Sequence, residues 1–202
     1  MNSLILIGAS GFGREVLWVC RRAGLAVVGF CDDAADKQSG TFAGLPLLGA
    51  IEQAAVRFGA GTAFHCAVGN NRDRQRLAGR ALAAGWSPVT VVDPSAIVAP
   101  DVGVGEGTFV GPLTVVSCCV RVGRFVLINQ QTSIGHDSQL GDFSQVCPGA
   151  CVSGQCGIGT GAILGSNAVL LPARSMGNWS VLGANALGLS DIDDEATVAR
   201  VR

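Results

Sequence analysis

The strongest constraint on this chain is a period of six in its second half. Every sixth residue from Val104, through Val110, Val116 and Val122, to Leu170, Met176 and Leu182 is aliphatic, fourteen positions without a slip. Nine of the fourteen are followed directly by Gly. The residue two places earlier is usually small, as at Thr108, Thr114, Ser138, Ala150, Cys156 and Ala162. Nothing recurs at 3.6, which removes a helical reading, and an ordinary sandwich needs longer strands with strict alternation. The pattern fits the hexapeptide units of a parallel β-helix, which stack to bury a continuous core. Each unit is then a short strand and a corner. The aliphatic side chain fills the prism interior, the small residue fits beside it, and Gly or Asn tolerates the corner backbone. Three units close one coil, so fourteen units predict between four and five coils.

The first half differs in kind. Leu4 to Ile7 reads as an apolar strand and Gly8-Ala9-Ser10-Gly11-Phe12-Gly13 as a glycine-rich turn. A helix over Arg14 to Ala23 and a second strand over Ala26 to Cys31, ending in Asp32-Asp33, complete a βαβ opening. Glycines in such a turn let main-chain N–H groups approach a phosphate at the helix N-terminus, and an acid about 20 residues on can hold a ribose hydroxyl. Ala63 to Val68 reads as a further strand, and Gly69-Asn70-Asn71-Arg72 leads into a helix from Arg74 to Ala84. The boundary falls near Asp93-Pro94, which predicts an α/β, truncated Rossmann-like domain over residues 1–93 and an all-β parallel β-helix over 94–202, with a short C-terminal tail. The glycine spacing is GxxGxG rather than the GxGxxG of dinucleotide sites. The domain has no room for two mononucleotide halves and the chain has no Tyr, which counts against a nicotinamide-dependent reductase.

Composition narrows the partners. Net charge is -1 with a single lysine, Lys37, and no basic run, so there is no electrostatic footprint for nucleic acid or an anionic membrane. No apolar run approaches the roughly 20 residues of a membrane span, and the N-terminus lacks the basic and apolar regions of a signal peptide. A cytoplasmic chain is expected. The eight Cys therefore read as reduced thiols. They form no CxxC pair and only two His accompany them, so no metal is expected.

His136 is the only His of the repeat domain and follows a corner glycine, Gly135, so its side chain is expected to point out of the prism. An imidazole so placed can take a proton from an attacking amine or hydroxyl. Asp137 follows it, although adjacent strand residues point to opposite faces, so the contact is expected to be indirect. Cys147, in a later corner, is a rival nucleophile, and the Gly154 N–H is a candidate donor to an oxyanion. His65, inside Phe64-His65-Cys66, reads as structural.

The combination of GASGFGREV, FCDD, LPLLG and AVGNNRDR with a hexapeptide domain carrying an isolated His-Asp pair resembles the bacterial sugar O- and N-acyltransferases of the sialic-acid O-acetyltransferase and pilin-glycosylation acetyltransferase type. The likeness covers nearly the whole chain. It implies a nucleotide-sugar held by the N-terminal domain, a left-handed β-helix, and a homotrimer with active sites between subunits. By position it implies Ser10, Gly11 and Phe12 at the nucleotide-sugar phosphates, Asp32 and Asp33 near the base or ribose, and Gly69 close to the nucleotide. It further implies His136 as general base tuned by Asp137, with Gln145, Ser166 and Ala184 along the acyl-CoA. Two departures stand out. Gln145 occupies a place where the family often has a second His, and Leu182 to Leu187 replaces a closing segment with GxPA and Lys, which leaves Arg174 as a substitute for CoA phosphates. The expected activity is acetyl-CoA-dependent N-acetylation of a nucleotide-linked aminodeoxysugar, a 4-amino-4,6-dideoxyhexose, by direct transfer. O-acetylation of a sugar hydroxyl and non-catalytic nucleotide-sugar binding are the alternatives.

Overall fold

The computed structural model describes residues 4–199. These fall into two compact units that divide between Val91 and Val92.

The first unit is built on β1 (Leu4–Ile7), α1 (Gly11–Arg22), β2 (Val27–Cys31), a small hairpin of β3 (Thr41–Phe42) and β4 (Leu45–Pro46), α2 (Ile51–Phe58), β5 (Ala63–Cys66), α3 (Asn71–Ala83) and β6 (Ser87–Pro88). Four of the strands form a parallel sheet in the order β2-β1-β5-β6. Parallel strands are covered on both faces. That is why β1, all apolar, and β5 are buried along their whole length. The chain runs outward from β1 to β2 and then returns to pair β5 on the other side of β1. At such a reversal the loops leaving the carboxyl ends diverge and open a crevice. α1 presents Val16, Leu17, Val19 and Cys20 to the core and ends in Arg21 and Arg22, whose charge suits the negative end of the helix dipole.

The second unit is a three-sided parallel β-helix. Its strands are two residues long and stack into parallel sheets of seven, six and five strands. Each strand pairs with the next coil in constant register, as in Val110↔Ile128, Ile134↔Val152 and Leu140↔Ile158. The periodic aliphatics from Val110 to Leu182 form one buried column. A fully buried aliphatic of this size stabilises by about 1.5–3 kcal/mol, and each coil supplies three. The small residues beside them carry their own hydrogen bonds. The Thr114 hydroxyl donates to Asn129 O at 2.9 Å, and Ser138 Oγ donates to Ser153 O at 3.0 Å.

Two expectations change. The helix has about six coils rather than four to five, because strands at Ile97–Val98 and Thr197–Val198 extend it at both ends. The last coil is two residues short, pairing Val181 with Thr197, and Gly188 takes an aliphatic place. Both hide the final turn from a period of six. The corner chemistry also differs. The left-handed backbone falls on the third corner residue, at φ 58° in Asp137 and Phe143 and 57° in Trp179, so most corners bend at non-glycine residues. The glycine directly after the aliphatic has another purpose. A methyl group on Gly135 would stand 2.5 Å from Gly154 N, so these glycines let successive coils approach.

Candidate functional site

The crevice at the carboxyl edge of the first sheet is a cleft of about 240 Å³ lined by Ile7, Gly8 and Ser10 from the β1–α1 turn, Cys31, Asp32 and Asp33 from the end of β2, Val68 and Gly69 from the β5–α3 turn, and Asp73, Arg76 and Leu77 of α3. Ser10 is the N-cap of α1, yet its side chain makes no capping bond and the first turn holds no acid. The first turn, uncapped by any side chain, and the positive end of the helix dipole therefore lie beside the Ser10 hydroxyl, a setting that suits an anion. Gly8 has φ 110° and Gly13 packs against the Gly8 carbonyl so closely that a methyl on either would meet main chain. Gly13 is required because α1 sits directly on the turn, and Gly8 because its left-handed backbone passes close to Ala67 and Val68. Gly11 and Phe12 form the first residues of α1, behind Ser10.

The two acids after β2 already have partners within the protein. Asp32 Oδ2 accepts from Ala9 N–H at 2.8 Å, its Oδ1 accepts from Ala34 N–H at 3.0 Å, and Lys37 Nζ lies 3.4 Å away. Asp32 thus ties the end of β2 to the glycine turn. Asp33 is gripped at both oxygens by the Arg80 guanidinium, which also bonds both oxygens of Glu52. Arg80 holds the Glu52 carboxyl below its usual range. Sequence reasoning missed this clamp, since Asp33, Glu52 and Arg80 are scattered along the chain with no spacing to betray them. It also missed Arg74, fully buried, whose guanidinium donates to the carbonyls of Val68 and Gly69 at 3.0 and 3.2 Å and so shapes that wall of the cleft. His65 lies wholly buried in β5 with Nδ1 2.8 Å from Val89 O, away from solvent.

In the second unit His136 and Asp137 occupy the corner between the six- and five-stranded sheets. The His136 side chain is 57% exposed, and its Nδ1 meets Asp137 Oδ2 at 2.7 Å. The contact is direct rather than indirect. Asp137 is not on a strand but in the left-handed corner, and that backbone turns its carboxylate onto the preceding ring. With Nδ1 donating to the carboxylate, Nε2 keeps its lone pair for an incoming proton. One coil on, the ring rests over Gly154, whose N–H donates to no group among the described residues.

Ser166 and Ala184 stack one coil apart on a different edge, between the seven- and six-stranded sheets, and Gln145 lies on the seven-stranded face beside it. Cys147 is half-buried and burial pushes its thiol up, with a Gln145 hydrogen bond pulling the other way. Arg174 is exposed. No group of three or more His, Cys, Asp or Glu capable of holding a metal occurs among the described residues. No helix there is long and apolar enough to cross a membrane.

Residues 3–81 match the PglD N-terminal domain family. The chain is similar to GDP-perosamine N-acetyltransferase of Escherichia coli O157:H7, 33% identical over 107 residues, which is 53% of this chain and 48% of that protein. The match thus spans about half the length of the curated relative. Among solved structures, PerB from Caulobacter crescentus, in complex with CoA and GDP-perosamine, superposes with a TM-score of 0.91 at 27% identity, over 98% of this chain and 94% of its own. The chain thus carries a PglD N-terminal domain over residues 3–81 and shares its architecture, over nearly its whole length, with this structure. The acetyltransferase domain of PglB from Neisseria gonorrhoeae, in complex with acetyl coenzyme A, is a further match at 29% identity and a TM-score of 0.90, over 98% of this chain and 96% of that one.

Proposed function

We propose that this chain is an acetyl-CoA-dependent N-acetyltransferase that acts on the amino group of a nucleotide-linked aminodeoxysugar, with GDP-perosamine the first candidate acceptor. The observation that carries the reading is the His136–Asp137 pair, 2.7 Å apart on an open corner, in a chain that superposes over nearly its full length on PerB. Asp137 fixes the imidazole so that Nε2 receives the proton of the sugar amine as its nitrogen attacks the thioester carbonyl. The Gly154 N–H is positioned to donate to the developing oxyanion. The C–S bond then breaks, CoA leaves as its thiol, and the acetyl group remains on the nitrogen. Transfer is direct. Cys147, half-buried with a raised pKa, offers little thiolate for a covalent alternative.

The cleft of the first unit takes the nucleotide-sugar, with Ser10 and the α1 N-terminus at the diphosphate, Gly11 and Phe12 behind them, and Gly69 at the nucleotide. Asp32 and Asp33 act there by fixing the turn and the wall. Acetyl-CoA lies along Gln145, Ser166 and Ala184, with Arg174 near its phosphates. Gln145, Ser166 and Ala184 stand on or beside another edge of the prism from His136, separated by the six-stranded face, so one copy does not present both, and Arg174, which lies on the His136 edge two coils on, reaches acetyl-CoA from the neighbouring copy. That face is apolar and uncovered, with Ile97 67%, Val115 44% and Leu187 49% exposed. A homotrimer that buries it brings the His136 edge of one copy to the acyl-CoA edge of the next. The test is His136→Ala. Turnover of acetyl-CoA with GDP-perosamine is lost while calorimetry still reports nucleotide-sugar binding; full activity in the variant sinks the mechanism.

A further inference from the structure

Most glycines of the β-helix either follow the buried aliphatic or take the left-handed corner position, and Gly154 does neither. The repeat places glycine directly after the buried aliphatic, where the next coil's main chain comes close. Gly154 is one position later, and it is the single glycine among the fourteen residues at that place, where other units carry Glu, Pro, Cys, Arg, Gln, His, Asp, Thr, Ser, Asn or Ala. Its backbone is not left-handed, so the conformation admits any residue. Nor does main chain crowd it. The three atoms nearest to a methyl added at Gly154 are all in the His136 ring, with Nε2 at 2.6 Å, Cε1 at 2.8 Å and Cδ2 at 3.1 Å. Gly165 shows the contrast, for there the obstruction is Ala184 N at 2.5 Å.

We infer that Gly154 is a positioning residue whose missing side chain is the seat of the His136 imidazole. This rests on the reading of His136 as the base and adds to it. Asp137 holds Nδ1 at 2.7 Å from one side, while the bare Cα of Gly154 supports the Nε2 edge from the next coil. The two contacts fix the ring's rotation and hence the direction of the Nε2 lone pair. Any Cβ at 154 tilts the ring away from the coil and pulls Nδ1 off the Asp137 carboxylate. A tilt of that kind displaces the accepting nitrogen by about 1 Å, a shift that costs on the order of 100-fold in rate. Gly154→Ala keeps the main-chain N–H, so an oxyanion contact there survives and the loss reports the seat.

The experiment pairs Gly154→Ala with the double variant His136→Ala/Gly154→Ala. In Gly154→Ala, kcat for acetyl transfer falls on the order of 100-fold with KM for the nucleotide-sugar unchanged. Long-range nitrogen–proton NMR of the two histidines reads the ring itself, with buried His65 as internal reference. Wild type shows His136 as one tautomer protonated at Nδ1, and Gly154→Ala shows a mixture. The spectrum reports the seat even if no acyl acceptor is turned over, so failure of the acyltransferase reading remains distinguishable. If Gly154→Ala unfolds, the double variant decides, since without the ring the methyl has room and the melting temperature equals that of His136→Ala. An unchanged tautomer and kcat in the single variant, or a double variant less stable than His136→Ala, overturns the proposal.

Discussion

Burial of His65 makes the first unit sensitive to acid. Its side chain is fully buried in β5. Burial pushes its pKa down to about 4, Arg74 adds in the same direction, and the Val89 carbonyl opposes them. In the unfolded chain the same imidazole titrates near 6.5, about 2.5 units higher. Between those values the unfolded chain binds a proton that the native unit does not. The contribution is therefore complete above pH 6.5 and lost as pH falls toward about 4. At 1.36 kcal/mol per unit this is about 3 kcal/mol, a large part of the 5–15 kcal/mol that holds a domain together. Urea denaturation followed by Trp86 reads it, since Trp86 is 2% exposed and packs 6.2 Å from the Phe64 ring. Trp18→Phe and Trp179→Phe remove the other two indoles. The comparison is His65→Asn, whose amide still donates to Val89 O but does not titrate. The parent loses about 3 kcal/mol more than His65→Asn between roughly pH 7 and pH 4. Parallel stability curves for the two refute the argument.

Other consequences are more direct. Gly13→Ala drives a methyl into the Gly8 carbonyl, so calorimetry finds nucleotide-sugar affinity down by more than about tenfold, with β-helix signals in an NMR fingerprint unmoved. Asp137→Asn keeps the left-handed corner, which Asn tolerates, but replaces a charged acceptor by a neutral one. The loss is about 1 kcal/mol, roughly fivefold in kcat, with KM for the nucleotide-sugar unchanged. Val115→Lys places a charge on the exposed face between the two working edges. Light scattering then reports a monomer, and acetyl transfer is lost with it; a trimer that persists removes the case for that face as the interface.

The sequence disclosed the β-helix almost completely because its physics is local and repeated. Each coil demands the same aliphatic at the same place, and thirteen consecutive steps of six leave few alternatives. What hid the final coil was the shortened turn that pairs Val181 with Thr197, whereas the first coil keeps the period, with Val98 and Val92 six and twelve residues before Val104. The role of the corner glycines was misread for a different reason. Close approach between coils is a relation between residues eighteen apart, such as Gly135 and Ser153-Gly154, and no local propensity reports it. The same holds for the cleft. The βαβ pattern pointed to the glycine turn, but Ser10 and Gly69 were named only through the family resemblance, and both line the cleft. The engagement of Asp32 with Ala9 depends on how β1 and β2 pair, and that of Asp33 with Arg80 on where α3 comes to rest. His136 stood out because it is alone, but the direct bond to Asp137 required knowing that position 137 bends left-handed. The off-period Gly154 was visible in the sequence and lacked only a reason.

Thiol release from acetyl-CoA, followed with GDP-perosamine and other nucleotide-linked 4-amino sugars each beside its 4-hydroxyl counterpart, decides whether this chain is an N-acetyltransferase. The expected result is release with an amino sugar, mass spectrometry showing one added acetyl group on its nitrogen, and none with the hydroxyl counterpart. Release only with hydroxyl sugars, or none from any acceptor that calorimetry shows to bind, contradicts it.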